Sequence, residues 1–476
     1  MGRSSVLLEA LPRPMKVAGF TAAGAVRERM RYGRSLDRKV AQAFEREEWT
    51  DAEWDDWFAT AIPRLLHAAS RDVPAYRRYW DQQRRLGRTA DVGDLSAWPV
   101  LRRESVRADA ASFVSERAPR IARFVDQTSG STGSPLRVVS GLGVQRNWYA
   151  LVEARMRRWN GVSRTDRWAI FGGRMVAPVS QSEPPYWIWN AAMNQLYCSA
   201  YHIGPRSAEA YLEALRRHRV RYLVGYPSAL AALAECVLEQ DLEAPQMQTV
   251  ITNAEPVLDY QRAAIEQCFA TEVRNTYGMA ELVAAGSECT SGSMHLWPEV
   301  GHVEVLDMEA DSPAPVGSTG RLVLTGVINP AMPLVRYEIG DLAKPSVAPE
   351  RCRCGRLLPI SPQIEGRLDD VVTTADGRRV GRLDKIITPD LPVREVQIAQ
   401  ESLEHFTIRV VPTTEWGDEH ATVLSDSLRS RVGDVTVEVV TVDSIERTKN
   451  GKFRTVVSRI DSTRPLRHGP PPPKSP

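Results

Sequence analysis

The sequence predicts an α/β protein in which a large multilayer domain precedes a small α+β domain. Three observations carry this. Short apolar runs of strand length alternate with stretches of helix length after residue 160, the pattern of layered α/β architecture. The texture changes at Val371, where β-rich arms bracket Ala375-Asp376-Gly377, and Asp-Gly between such arms signals a hairpin. A chain of 476 residues also exceeds what one core usually supports.

Taken in order, residues 36–80 read as helical, with Phe44, Trp54, Trp57, Phe58, Ile62, Leu65 and Leu66 as core packing. The arginines between Arg27 and Arg38 read as a solvated helix face. Residues 142–160 suit a helix. Arg221–Tyr226 reads as a strand followed by helix 227–240, and Thr249–Asn253 as the next strand followed by helix 257–269. From 300 to 345 the pattern is strand-rich, with turns at Pro315-Val316-Gly317 and Asn329-Pro330. Strands at 405–411 and 435–442 flank a helix at 418–432. The expected domains are 1–368 and 369–461, with a Pro-rich tail over 462–476 that carries Pro470 to Pro473.

Composition narrows the function classes. With 61 basic and 59 acidic residues the net charge is +2, so charge demands neither a nucleic acid nor an anionic membrane as partner. No apolar run approaches the ~20 residues of a spanning helix, and Val6-Leu7-Leu8 is cut off by Glu9, Pro12 and Arg13 before it can act as a signal. A cytoplasmic protein is expected, with its six cysteines reduced or metal-bound. Lysine is absent between Lys39 and Lys344. Any lysine chemistry must therefore come from the C-terminal part.

The most informative stretch is Asp126-Gln127-Thr128-Ser129-Gly130-Ser131-Thr132-Gly133-Ser134-Pro135. Its glycines let backbone N–H groups turn inward as an anion nest, and its hydroxyls add donors without bulk. It is no P-loop, because no Gly-Lys-Ser/Thr closes it. Four more segments follow in order: Asn275-Thr276-Tyr277-Gly278-Met279-Ala280-Glu281, Arg336-Tyr337-Glu338-Ile339-Gly340-Asp341, Gly366-Arg367-Leu368-Asp369-Asp370 and Asn450-Gly451-Lys452. Together they resemble the adenylate-forming (AMP-forming) ligase superfamily, over roughly residues 60 to 460.

That resemblance implies a large adenylation domain, a mobile small domain, and ATP with magnesium activating a small-molecule carboxylic acid. Thr128, Ser129, Gly130, Ser131, Thr132 and Gly133 would wrap the β- and γ-phosphates. Glu281 would ligate Mg2+, as a hard oxygen donor beside phosphate oxygens. Tyr277 and Gly278 would lie against the adenine with Asn253-Ala254-Glu255 on the other side. Asp341 would accept from the ribose hydroxyls, which its acceptor-only carboxylate suits, and Arg367 would contact ribose or phosphate. Lys452 would reach over the α-phosphate and the carboxylate from the small domain, with Lys449 as a decoy and Asp369 as hinge.

Cys289 and His295, with Cys352-Arg353-Cys354 later, make four soft or borderline ligands in two pairs, suited to a structural Zn2+. The arrangement resembles the phenylacetate–CoA ligase-like and capsule-biosynthesis ligase-like branch. Cys198, Cys236 and Cys268 read as core. The expected acceptor is CoA, with an amine as the alternative and a non-catalytic zinc-stabilised scaffold as the rival from another class. The absence of lysine from Val371 to Gly381 supports adenylation better than thioester transfer. Tyr186, Trp187, Trp189, Tyr197 and Tyr226 are candidates for an acid pocket and equally good core residues. The oligomeric state is not legible.

Overall fold

Helix signals organise the N-terminal quarter. In the computed structural model, Thr50 caps the helix Asp51–Asp72 through a capping box with Glu53, and Pro74 opens Pro74–Arg85, where its missing N–H costs nothing. Helices Arg13–Tyr32 and Leu36–Glu45 precede them, so the helical reading of 36–80 is interrupted at Arg46–Thr50, and the first helix extends back to Arg13. The structure describes residues 12–121, 123–127, 136–174, 176–178, 181–345, 352–367, 372–374, 379–380, 383–388, 391–447 and 453–460. Contacts divide the chain at Ile364/Glu365 into two compact units.

The larger unit is built on a sheet of eight strands. Their order is Met294–Leu296, Ala285–Glu288, Val273–Gly278, Thr249–Thr252, Tyr222–Gly225, Trp168–Gly172, Gln195–Ser199 and Trp187–Asn190. The five from Val273–Gly278 to Gln195–Ser199 are parallel, and the outer strands run antiparallel. Tyr222–Gly225 and Thr249–Thr252 are buried throughout, as central parallel strands must be. The chain runs from Trp168–Gly172 to one side, then crosses back to the other. That reversal opens a crevice at the carboxyl ends of the strands, where open α/β sheets bind ligands.

A second sheet has the order Leu101–Arg102, Tyr337–Lys344, Gly320–Gly326 and Gly301–Leu306. Its first pair is parallel and sets Leu101 opposite Tyr337. A separate antiparallel pair, Arg123–Gln127 with Arg137–Gly141, sets Gln127 opposite Arg137 and so brackets the Ser/Gly loop. The loop itself, 128–135, lies outside the described residues, as do Asp369, Lys449, Lys452 and the Ala375–Gly377 turn; of Arg367 only the backbone is described.

The expected helix 142–160 is α-helical only from Leu142 to Leu151, then widens into a π-helical segment over Val152–Arg157. That segment carries buried charge. Arg155, fully buried, donates to both Glu299 oxygens at 2.7 and 2.9 Å, and Arg157 bonds the hydroxyls of Tyr222 and Tyr32. Cys198, Cys236 and Cys268 are buried, as read.

In the smaller unit the strands order as Thr436–Thr441, His405–Pro412, Val393–Gln400 and Val456–Ser458, with the helix Asp418–Val432 as expected. Leu424, Leu428 and Val432 of that helix are buried, as are Ile398, Phe406, Ile408 and Val410 of the strands. The strand Val393–Gln400 has no counterpart in the sequence reading. Val372–Thr373 pairs antiparallel with Arg379–Val380, as arms of a hairpin would.

Candidate active site and metal centre

Among the described residues, five of the predicted nucleotide residues stand at the carboxyl ends of two neighbouring parallel strands. Asn253, Ala254 and Glu255 follow strand Thr249–Thr252; Tyr277 and Gly278 close strand Val273–Gly278, and Glu281 follows three residues on. These neighbouring strand ends are locked together: Thr276 Oγ1 donates to the Thr252 carbonyl at 2.7 Å, and Thr252 Oγ1 to Asn275 Oδ1 at 3.2 Å. Asp341 comes from the other sheet. Its Oδ2 accepts from the Tyr277 hydroxyl at 2.7 Å, within the range of a charge-assisted bond.

Glu255 reaches a neighbouring helix. Its carboxylate accepts from Ser228 N–H at 3.2 Å, at the N-terminus of helix Pro227–Glu239, where a negative charge is stabilised by the helix dipole. Three non-glycine residues at the site hold left-handed backbone: Ala254 (φ 67), Leu282 (φ 56) and Arg336 (φ 45). Each such residue costs on the order of 1 kcal/mol or more and persists where the surroundings over-determine it. They adjoin Glu255, Glu281 and Tyr337.

Glu281 is buried. Its Oε1 accepts from the Tyr337 hydroxyl at 3.4 Å and lies 3.8 Å from Arg103 Nη2. Burial, reinforced by Glu281, pushes the Tyr337 hydroxyl up, against the opposing pull of Arg103 and Arg107. Arg103 was not singled out in the sequence. The available signal was the lysine gap itself, since any fixed cation supplied by residues 40 to 343 has to be arginine or histidine.

Of the aromatic candidates, Tyr186 is buried in the core, and Trp187 and Trp189 pack against the same cluster. Tyr226 follows the strand Tyr222–Gly225 and packs against that cluster too, while Tyr197 lies within the strand Gln195–Ser199. The Tyr197 hydroxyl accepts from Arg174 N–H at 3.1 Å, and burial pushes it up to about 12.

The four metal candidates come together, their ligand atoms all within 4.8 Å of one another. Strand pairing brings them there: Leu296 N–H donates to the Pro359 carbonyl and Ser361 N–H to the Met294 carbonyl, both at 2.8 Å. The two cysteine turns repeat one geometry. Gly292 and Gly355 each lie three residues after a cysteine, at φ 80 and φ 82, and each donates its N–H to that cysteine's carbonyl at 3.0 Å. This Cys-x-x-Gly repeat was a legible signal that the ligand spacing alone obscured.

Distances fit a closed tetrahedral centre. Cys289 Sγ and Cys352 Sγ are 3.7 Å apart, and Cys354 Sγ lies 3.4 Å from His295 Nε2. With Zn–S about 2.3 Å and Zn–N about 2.0 Å, tetrahedral edges are roughly 3.4–3.8 Å. His295 Nδ1 faces the Leu358 carbonyl at 2.8 Å, which places the ring proton there and leaves Nε2 as a lone-pair donor. Burial raises the Cys289 thiol to about 11. Cys352 is held down, because the penalty of burial is outweighed by hydrogen bonds, foremost that from the Cys354 backbone.

Comparison with known proteins shows the family and the fold. The family described as AMP-binding enzyme matches residues 75–330, more than half of the chain. The chain belongs to that family. The CapK C-terminal domain matches residues 372–459. Protein CapK of Staphylococcus aureus is 25% identical over 256 residues, covering 54% of this chain and 55% of CapK. The phenylacetate–coenzyme A ligase of Thermus thermophilus is 33% identical over 153 residues, 31% of this chain and 34% of that protein. That of Aromatoleum evansii is 25% identical over 342 residues, 67% of this chain and 72% of that protein. The chain thus spans about half of CapK and a third of the Thermus enzyme. A 2-hydroxyisobutyryl-CoA ligase in the postadenylation state shares the fold, with TM-score 0.66 and 24% identity over 87% of this chain and 91% of that one. This AMP-binding family member falls in the phenylacetate–CoA ligase-like and CapK-like branch of the adenylate-forming ligases. Among its described residues, no helix is long and apolar enough to cross a membrane.

Proposed function

We propose that this protein is an ATP-dependent, AMP-forming acid–CoA ligase. A carboxylate oxygen of the acid attacks the α-phosphorus of ATP, pyrophosphate leaves with the electron pair of the broken P–O bond, and the acyl-adenylate forms. A thiolate of CoA then attacks the acyl carbon and AMP departs. The observation that carries the reading is the Tyr277–Asp341 hydrogen bond, which joins two of the ordered motifs across two sheets. In it the tyrosine ring is the platform for adenine and the carboxylate the acceptor for ribose hydroxyls.

Glu281 suits magnesium. Tyr337 and Arg103 engage it through Oε1, which leaves Oε2 for a hard cation or its waters. Glu281 would hold the ion, which would supply positive charge against the phosphate oxygens. The Ser/Gly loop, Arg367 and Lys452 keep their proposed roles as phosphate cradle, ribose or phosphate contact, and mobile cation, with Asp369 as hinge of a small domain over 369–461. The Cys289, His295, Cys352 and Cys354 set fits structural zinc, since four protein ligands close the tetrahedron and leave no position for substrate. Binding there would stabilise the thiolates, including that of Cys289.

CoA is favoured as acceptor over an amine because the phenylacetate–coenzyme A ligases match up to 67% of the chain. A cytoplasmic setting fits cysteines held in the core or as metal ligands. Acid-dependent exchange of labelled pyrophosphate into ATP, screened over a panel of carboxylic acids with and without CoA, tests the reading. Zinc- and magnesium-replete protein that supports no exchange across the panel would return the scaffold alternative.

A further inference from the structure

Arginines Arg103 and Arg107 stand one helical turn apart on the short helix Arg103–Ala108, so their side chains share a face. The Arg103 side chain is 13% exposed and lies 3.8 Å from Glu281 Oε1. The helix packs against the strand Tyr337–Lys344, whose Tyr337 hydroxyl meets Glu281, so both arginines stand on the element beside that pair. Yet Arg103 Nε, Arg107 Nε and Arg107 Nη2 are enclosed without a hydrogen-bond partner. Such donors are costly to bury unpaired.

Charge sharpens the point. Glu281 answers Arg103, and no carboxylate among the described residues pairs with Arg107. Neutralising Glu281 would therefore explain one guanidinium and leave the other without a reason to be enclosed. The sequence closes off the usual alternative, since no lysine occurs between Lys39 and Lys344 and the Ser/Gly loop ends Ser134-Pro135-Leu136-Arg137.

We propose that Arg103 and Arg107 bind the β- and γ-phosphates of the nucleotide and the pyrophosphate that leaves, with Arg107 as the principal contact. This rests on the adenylate-forming reading and assigns it two further residues. Arginine suits the task because its planar fork matches a phosphate's oxygens two at a time and keeps its charge when buried. As pyrophosphate departs it carries more negative charge than it did within ATP, and the second guanidinium, uncompensated by any carboxylate, offsets that gain. Arg103 would serve both partners, with Nη2 toward Glu281 and Nε toward phosphate.

Titration calorimetry of the full-length, zinc-replete protein tests this with magnesium pyrophosphate and AMP as separate probes. In Arg107→Gln, pyrophosphate affinity should fall about tenfold or more, the scale of a lost charge-assisted contact, while AMP affinity stays within about twofold. Arg107→Lys, which keeps the charge without the fork, should fall between Gln and wild type, and carries the test if Gln does not fold. Unchanged pyrophosphate affinity in these variants would overturn the assignment. So would an equal loss for both probes, which marks packing, or a loss confined to the KM of the acid, which marks carboxylate recognition. Wild-type protein that binds neither probe would instead remove the adenylate reading beneath it.

Discussion

Tyr277 and Asp341, 64 residues apart, share a 2.7 Å hydrogen bond in which the phenol donates to the carboxylate. The bond ties the ring and one carboxylate oxygen together, so the proposed base platform and ribose acceptor would be positioned as a unit. Tyr277→Phe keeps the ring and loses the bond. With roughly 0.5–1.5 kcal/mol at stake, AMP affinity should drop severalfold with little change in thermal stability. Asp341→Ala should cost more, because both ribose contacts go. Equal AMP affinity for wild type and Asp341→Ala would show that the nucleotide lies elsewhere.

Metal content is the second test. One zinc per chain is expected, and Cys352→Ser should lower zinc content and thermal stability together, since zinc bound only to the folded state contributes folding energy. Chelation should reproduce the loss in the wild type. A Cys289→Ser, Cys354→Ser double variant retaining full zinc would displace the centre from these four residues.

Lys452 separates the half-reactions. Removing a preorganised cation from the α-phosphate should raise the adenylation barrier by roughly 3 kcal/mol, which is on the order of a hundredfold in rate. Acyl transfer from a supplied acyl-adenylate should be almost untouched, and Lys449→Ala should leave both steps near normal. A Lys452→Ala enzyme that adenylates at wild-type speed, or slows both steps alike, contradicts the mobile-domain mechanism.

His302 gives a pH signature in stability. Burial lowers its pKa from 6.5, and its ring packs edge-on to Phe58 at 5.2 Å. The folded state therefore holds it neutral, while the unfolded chain takes up a proton below pH 6.5. Its stabilising contribution is complete above that value and is lost as pH falls toward the depressed folded pKa. His302→Phe should flatten the decline of Tm with acidification below pH 6.5, relative to wild type. Parallel curves for the two proteins would show that His302 is solvated.

The linear pattern determined a good deal. Strand and helix alternation placed the central sheet, because buried parallel strands need continuous apolar runs, and the helix Asp418–Val432 was legible from its own residues. Ordered polar motifs identified Tyr277, Glu281 and Asp341, since chemistry constrains residue type even where packing does not. The four metal-ligand candidates could be named from their kind. Tertiary structure alone decided which of them meet: Cys352 and Cys354 reach Cys289 through the pairing of Met294–Leu296 with Pro359–Ser361, a long-range register that no local propensity encodes. It set Glu255 against a helix N-terminus, where its carboxylate accepts from the Ser228 N–H. It also decided the partners of Glu281. Arg103 and Tyr337 reach it only because Leu101–Arg102 adds in parallel to Tyr337–Lys344, and a guanidinium's worth depends on the charge it is buried beside.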